Sequence, residues 1–235
     1  MNKKTFTPKK KAFSLIELSI VLIIIGLLVA GVTGGASLIK NAELRAVMGE
    51  ARGYQTAVNS FFARYNGIPG DYGQTGAAQG GDNNGVINLD NGVNRDEGYI
   101  ALAVLGNEGF VDATYDRSTS AVDFADTSLT PGTEIPASKL QNAGWIFDSN
   151  NDTQNVVVLT KSIAAYNDAL TDGSNAAVSL TASDALSIDT KSDDGSAASG
   201  VVRNHNGGSC DAAGVYDTAQ TTEVCALSFE VGPDA

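Results

Sequence analysis

Glu17 makes the plainest chemical demand in this chain. It stands near the start of an apolar run, within KKKAFSLIELSIVLIIIGLLVAGV over residues 9–32. A carboxylate at the centre of a bilayer costs about 2.5–3.5 kcal/mol on insertion scales, and less near an interface, so such a group faces a partner rather than lipid. The matching partner is a positive charge, and the apolar segment holds none. Hydrolysis of the Ala12–Phe13 bond would create one, the new α-amino group of Phe13. Lys3, Lys4, Lys9, Lys10 and Lys11 all precede that bond.

The remaining residues with chemical potential are sparser. Asp148, Asn150 and Asp152 alternate as at the start of a calcium loop, but an EF-hand needs Gly sixth and Glu twelfth, where this chain has Thr153 and Leu159. Asp82/Asn84 and Asp193/Asp194 are further acidic turns, and Asp and Asn favour turns for local hydrogen-bonding reasons alone. His205 is the sole histidine, so no zinc site can be assembled from the ligands visible. No nucleophile elbow, P-loop or dinucleotide fingerprint occurs, and catalysis is not expected. Trp145 reads as a core or stem-packing residue. Cys210 and Cys225 are the only cysteines. In an oxidising compartment they could close a loop worth about 3 kcal/mol by the chain-entropy model; otherwise they are two buried thiols. Their spacing excludes a Cys-x-x-Cys redox pair.

These residues need a frame. The chain has 235 residues with a net charge of −12, and its one long apolar stretch lies at the start, which suggests a single head on a membrane stem. Removing the five leader lysines takes the net charge to −17. Such a surface repels nucleic-acid phosphates, so direct nucleic-acid binding is not expected. Lysines before the apolar run place that end in the cytoplasm and the acidic remainder outside. In residues 40–65, Leu44, Val47, Ala51, Tyr54, Val58, Phe61, Phe62 and Tyr65 recur at intervals of three and four, the mark of one helix face. Glu43, Arg45, Glu50, Arg52 and Arg64 fall on other faces. A helix from about Ser14 to Tyr65 would run some 75–80 Å at 1.5 Å per residue. Gly31, Gly34 and Gly35 interrupt it at about 1 kcal/mol each relative to Ala. They would serve either close helix packing in the membrane or local unwinding in an assembly.

Ala12-Phe13-Ser14-Leu15-Ile16-Glu17-Leu18 resembles the cleavage and N-methylation site of type IV prepilins and type II secretion pseudopilins. The resemblance implies a cut between Ala12 and Phe13 by a membrane peptidase, methylation of Phe13, and a role for Glu17 in ordering assembly. The family usually has Gly before the cut, where this chain has Ala12. It also implies an inner-membrane subunit, with its C-terminus periplasmic, that later joins a pilus or pseudopilus. The partners implied are other subunits, the peptidase and an inner-membrane assembly platform. Many family members lose helix near the glycine patch. Some pseudopilins hold calcium in irregular loops, so Asp148, Asn150 and Asp152, or the two other acidic turns, are candidate ligands; otherwise no cofactor is expected.

The head, residues 66–235, opens with Asn66-Gly67-Ile68-Pro69-Gly70-Asp71, which ends the stem helix. An irregular loop continues to about Asp96, broken by Val86-Ile87, and a short helix follows around Glu97–Leu105. The order Ile-Pro-Gly-Asp, Gly-Asp-Asn-Asn-Gly, then Glu97 resembles larger pilin-like heads, as does Ala182–Gly195 followed by Ser199-Gly200-Val201-Val202. Residues 143–161 read as a hairpin, Val201–Arg203 and Ala226–Val231 as further strands, and 112–142 as loop. The expected class is α+β: a long N-terminal helix carrying a small antiparallel sheet packed on its second half. The expected segments are a leader (1–12), a transmembrane and filament-core helix (13–39), an amphipathic stem (40–65) and the head (66–235). Two other classes keep the same charge and length pattern. One is a periplasmic binding module on an uncleaved anchor. The other is a secreted protein cut after an ordinary signal peptide, in the small-residue stretch 30–36, and starting near Ser37.

Overall fold

The computed structural model describes residues 14–72, 81–88, 97–112, 130–150, 153–161, 177–205 and 209–233. The chain divides into two compact units, one ending at Ala42 and one running from Glu43 to Ala235.

Helix α1 spans Leu15–Tyr65, 51 residues without a break. It passes straight through Gly31, Gly34 and Gly35, and a methyl group added at any of the three would meet nothing within 4 Å. Up to Ile39 its large apolar side chains stand exposed, from Leu15 (88 %) to Ile39 (63 %). This stretch is long and apolar enough to cross a membrane. Two of its hydroxyls are satisfied inside the helix: Ser19 Oγ donates to Ile16 O, and Thr33 Oγ1 to Val29 O and Ala30 O. A lipid-exposed helix has no other source of partners.

In the second unit the expected stripe does the packing. Leu44, Val47, Ala51, Val58 and Phe61 are buried, while Tyr54, Phe62 and Tyr65 are half-buried. The stripe meets a four-stranded antiparallel sheet of order β1-β2-β8-β4, made of β1 Gly144–Asn150, β2 Gln154–Thr160, β8 Leu227–Glu230 and β4 Val202–Asn204. Successive side chains of a strand alternate between faces. Trp145, Phe147 and Phe229 accordingly point one way, with Tyr54 of α1 5.6 Å from the Trp145 ring and 5.7 Å from Phe147. Ile146, Asp148, Val156 and Val158 point the other way and are also buried. Helix α2, Glu97–Asn107, packs on β1; it is apolar all round and buried almost throughout, as such a pattern requires.

Three smaller pieces complete the head. Helix α3, Ala182–Ser192, is capped by Thr181, whose side chain accepts from Asp184 N. It follows β3, Leu180–Thr181, which pairs with β7, Glu223–Cys225. The β5–β6 pair, Asp211–Ala212 with Val215–Tyr216, turns through Ala213 and Gly214, both at positive φ. Cys210 and Cys225 are bonded, with Cα atoms 4.9 Å apart, so the loop carrying β5 and β6 is stapled to β7.

The α+β, pilin-like arrangement is the one expected, with two differences. The first hairpin strand continues through Asp148-Ser149-Asn150, which sequence assigned to a polar turn. Helix α3 falls in a stretch to which sequence assigned no element.

Candidate processing and assembly site

The first turn of α1 is organised around Glu17. Ser14 lies just before the helix, and its backbone N–H donates to Glu17 Oε2 at 2.7 Å, while Leu18 N donates to Ser14 O. Ser14-Leu15-Ile16-Glu17 thus contains the reach-back half of a capping box, a glutamate at the third helical position returning to the N-cap amide. The Ser-x-x-Glu spacing was visible in the sequence and was not read as a cap. An acid there also opposes the positive end of the helix dipole. Glu17 is therefore anchored to the backbone of Ser14. Ala12 and Phe13 themselves lie outside the described residues.

Residues 7–33 match the family model described as the prokaryotic N-terminal methylation motif. They are a class III signal segment of the type IV pilin and pseudopilin kind. The matched stretch covers the last leader lysines, the expected cleavage bond, Glu17 and the apolar half of α1 up to the glycine patch. The matched motif is of a structural, pilin type and is not itself the mark of an enzyme class. No curated protein and no solved structure matches the chain.

The other residues singled out in sequence are placed as follows. Asp148 sits in β1, buried, with Oδ1 accepting from Ser149 N and Oδ2 3.1 Å from His205 Nε2. The side chain of Asn150, and Asp152 altogether, fall outside the described residues. His205 follows β4 and is buried; its backbone N–H donates to Ala226 O, and its Nδ1 has no partner among the described residues. A ring carrying its proton on Nε2 fits these neighbours, since that N–H is donated to Asp148 and only an acceptor is left orphaned. The strand order puts β1 and β4 at opposite edges of the sheet, so the pair ties one edge to the other across its face. Sequence gave no sign of it. Trp145 is core, with Nε1 donating to Glu50 Oε2 at 3.0 Å. Glu50 also accepts from Ser138 Oγ and Lys139 N, fixing the segment before β1 against α1.

Two acidic groups have ligand atoms within 4.8 Å of one another: Asp71, Asp82 and Glu97, and Asp189, Asp193 and Asp194. Both are dense with backbone amides. Asp71 accepts from Asn84 N and Gly85 N, and Glu97 from Asp82 N and Asn88 N. Asp193 Oδ2 accepts from Val202 N, Asp189 from Gly195 N and Tyr216 Oη, and Asp194 from Ser196 N and Ser199 Oγ. These bonds account for the loops: each carboxylate folds a glycine-rich turn around itself. A Cβ at Gly81 would lie 2.3 Å from Asp71 Cα and 2.5 Å from Glu97 Oε1, so that turn closes only around glycine.

Burial pushes the Glu97 and Asp189 carboxyls up, against the pull of their hydrogen-bond donors. The Ser196 amide and Ser199 hydroxyl hold Asp194 down. A carboxyl raised in the folded state stabilises it below its unfolded pKa, and that contribution is lost as pH rises through the folded value. Thermal unfolding should therefore occur at higher temperature near pH 4.5 than at neutral pH. Glu97→Gln should flatten this slope, as calorimetry across that window would measure; an unchanged slope would assign it to other groups.

Proposed function

We propose that this chain is a structural subunit of a type IV pilus or type II secretion pseudopilus. The observation that carries the reading is the methylation motif over residues 7–33, running directly into a helix whose apolar side chains are exposed on every side. The lysine-rich leader stays in the cytoplasm while α1 waits in the inner membrane with the head on the periplasmic side. Prepilin peptidase cleaves after Ala12 and methylates Phe13. Glu17 of an incoming subunit then pairs with the Phe13 amino group of a neighbour. In an apolar filament core that attraction selects register, and an unpaired charge is costly. Burial of the exposed α1 side chains against neighbouring stems supplies most of the cohesion. The head contributes surface contacts and subunit choice.

The reading is tested by the mass of the N-terminus in protein purified from the native host. A terminus at N-methylated Phe13 is expected. An intact Met1–Ala12 leader would instead indicate a binding module on a permanent anchor, and a start near Ser37 a secreted protein. Replacing Ala12 with glutamate should prevent maturation, because a peptidase pocket shaped for a small residue would have to take a charged side chain. A methylated Phe13 terminus in Ala12→Glu protein would contradict this.

A further inference from the structure

Within the head unit, the solvent face of α1 differs in charge from the rest of the chain. Arg45 and Arg52 are both exposed and, seven residues apart, project from nearly the same side of the helix. Gly49 and Gly53 are exposed on the same face. Among the described residues neither arginine forms an ion pair; the arginine and lysine pairs seen there are Arg64–Glu108 and Lys161–Glu223. The chain around this face is strongly acidic, with 27 acidic residues against 15 basic ones, five of the latter in the leader. The two glycines are costly in a helix interior, at about 1 kcal/mol each relative to Ala. Nothing in the subunit needs them: an added Cβ at either would meet no atom within 4 Å. Beside Arg52 lies a cleft of about 70 Å³ between Met48 and Gln55 of α1 and Val201, Phe229 and Glu230 of the sheet. An engineered cavity of about 150 Å³ takes up benzene, so this one has room for a short side chain.

We propose that this face is a docking seat for the acidic head surface of a second copy of the chain. The arginines pair with carboxylates of that copy, such as the exposed Asp112 and Glu223. The glycines let its backbone come close, and a short side chain enters the cleft. A charged, glycine-bearing face with an adjoining cleft suits a protein surface of opposite sign, and the chain itself supplies that surface in every neighbouring subunit. The inference rests on the filament-subunit reading and gives that assembly a second contact, separate from Glu17.

The test uses the full chain in its native host, with N-terminal mass as control. Arg45→Glu/Arg52→Glu should be processed and inserted normally yet give less than a tenth of the wild-type filament yield. Co-expression with a copy bearing Asp112→Lys/Glu223→Lys should restore filaments. Gly53→Ala should raise the melting temperature of the detergent-solubilised chain while lowering filament yield, a combination that a folding defect cannot produce. Normal filaments from the double-arginine variant, a loss not restored by the complementary copy, or a loss confined to binding of vesicles rich in anionic lipid would each overturn the proposal while leaving the function intact. An unprocessed leader in the wild-type chain would remove both.

Discussion

Glu17→Leu is expected to leave the chain in the membrane with its leader removed and to abolish assembly. Leucine suits lipid better than a carboxylate, so insertion is if anything eased. The loss arises later, when the Phe13 amino group of a neighbouring subunit is buried among apolar stems without a counter-charge. Breaking a buried pair by removing one partner costs about 3–5 kcal/mol, and a filament multiplies that loss over every subunit. Glu17 also serves its own helix, by accepting from Ser14 N. Glu17→Gln separates the two roles, because its amide oxygen can still accept that N–H while the charge is gone. Both variants should be assembly-negative, with Glu17→Gln retaining the ordered first turn by hydrogen exchange or NMR. Abundant filaments from Glu17→Gln would show that the cap, and not the charge, is what assembly uses.

The second large effect lies in the head. His205→Ala removes a ring that is 4 % exposed from an Asp148 carboxylate that is 3 % exposed. Removing the donor of a buried hydrogen bond costs about 1–3 kcal/mol, towards the upper end where the acceptor is a carboxylate. For a domain approaching 200 residues each kcal/mol moves the melting temperature by about 2–4 °C, so a fall of roughly 5–10 °C is expected by calorimetry. His205→Gln can still offer a donor and should lose much less. The double variant Asp148→Ala/His205→Ala should lose less than the two single variants combined, as the coupling between contacting groups requires. Strict additivity would mean that the tie across the sheet carries no energy of its own.

Elements governed by local periodicity were legible in the sequence. The stripe from Leu44 to Tyr65 predicted both the length of α1 and the side that meets the sheet, because a 3.6-residue repeat has one geometric solution. The hairpin of β1 and β2 was legible from Gly144-Trp145-Ile146-Phe147 and Val156-Val157-Val158-Leu159. Its extension through Asp148 was not, because an aspartate between strands ordinarily signals a turn, and its partner His205 lies 57 residues away. Helix α3 had readable signals, Thr181 with Asp184 as a cap and Ala182, Ala185 and Ile188 on one face. They span only 11 residues and compete with a polar, turn-rich composition. Strands of two residues such as β3, β5 and β6 carry no periodicity at all. At the N-terminus the stretch that carries Glu17 and the Ala12–Phe13 bond was legible as a methylation motif, because its residue types and order are specific. Glu50 was placed off the apolar stripe with the other charges and given no partner, yet it accepts three hydrogen bonds, one from Trp145, because its position on α1 faces the chain entering β1.

The strand order of the head sets a schedule for its folding. β8 follows every other strand in sequence yet lies inside the sheet, between β2 and β4. Leu159, paired with Trp145 on one side, finds its second partner only at Leu227, and Val202 its partner at Phe229. As the polypeptide emerges from the ribosome, β2 and β4 must wait, each with an unpaired edge, until this late segment arrives. Non-local pairing of this kind is slow and leaves strand edges open to aggregation. A nascent head is therefore vulnerable until its last segment has been made, and a nonsense codon shortly before position 227 would strand two orphaned ribbons instead of shortening one.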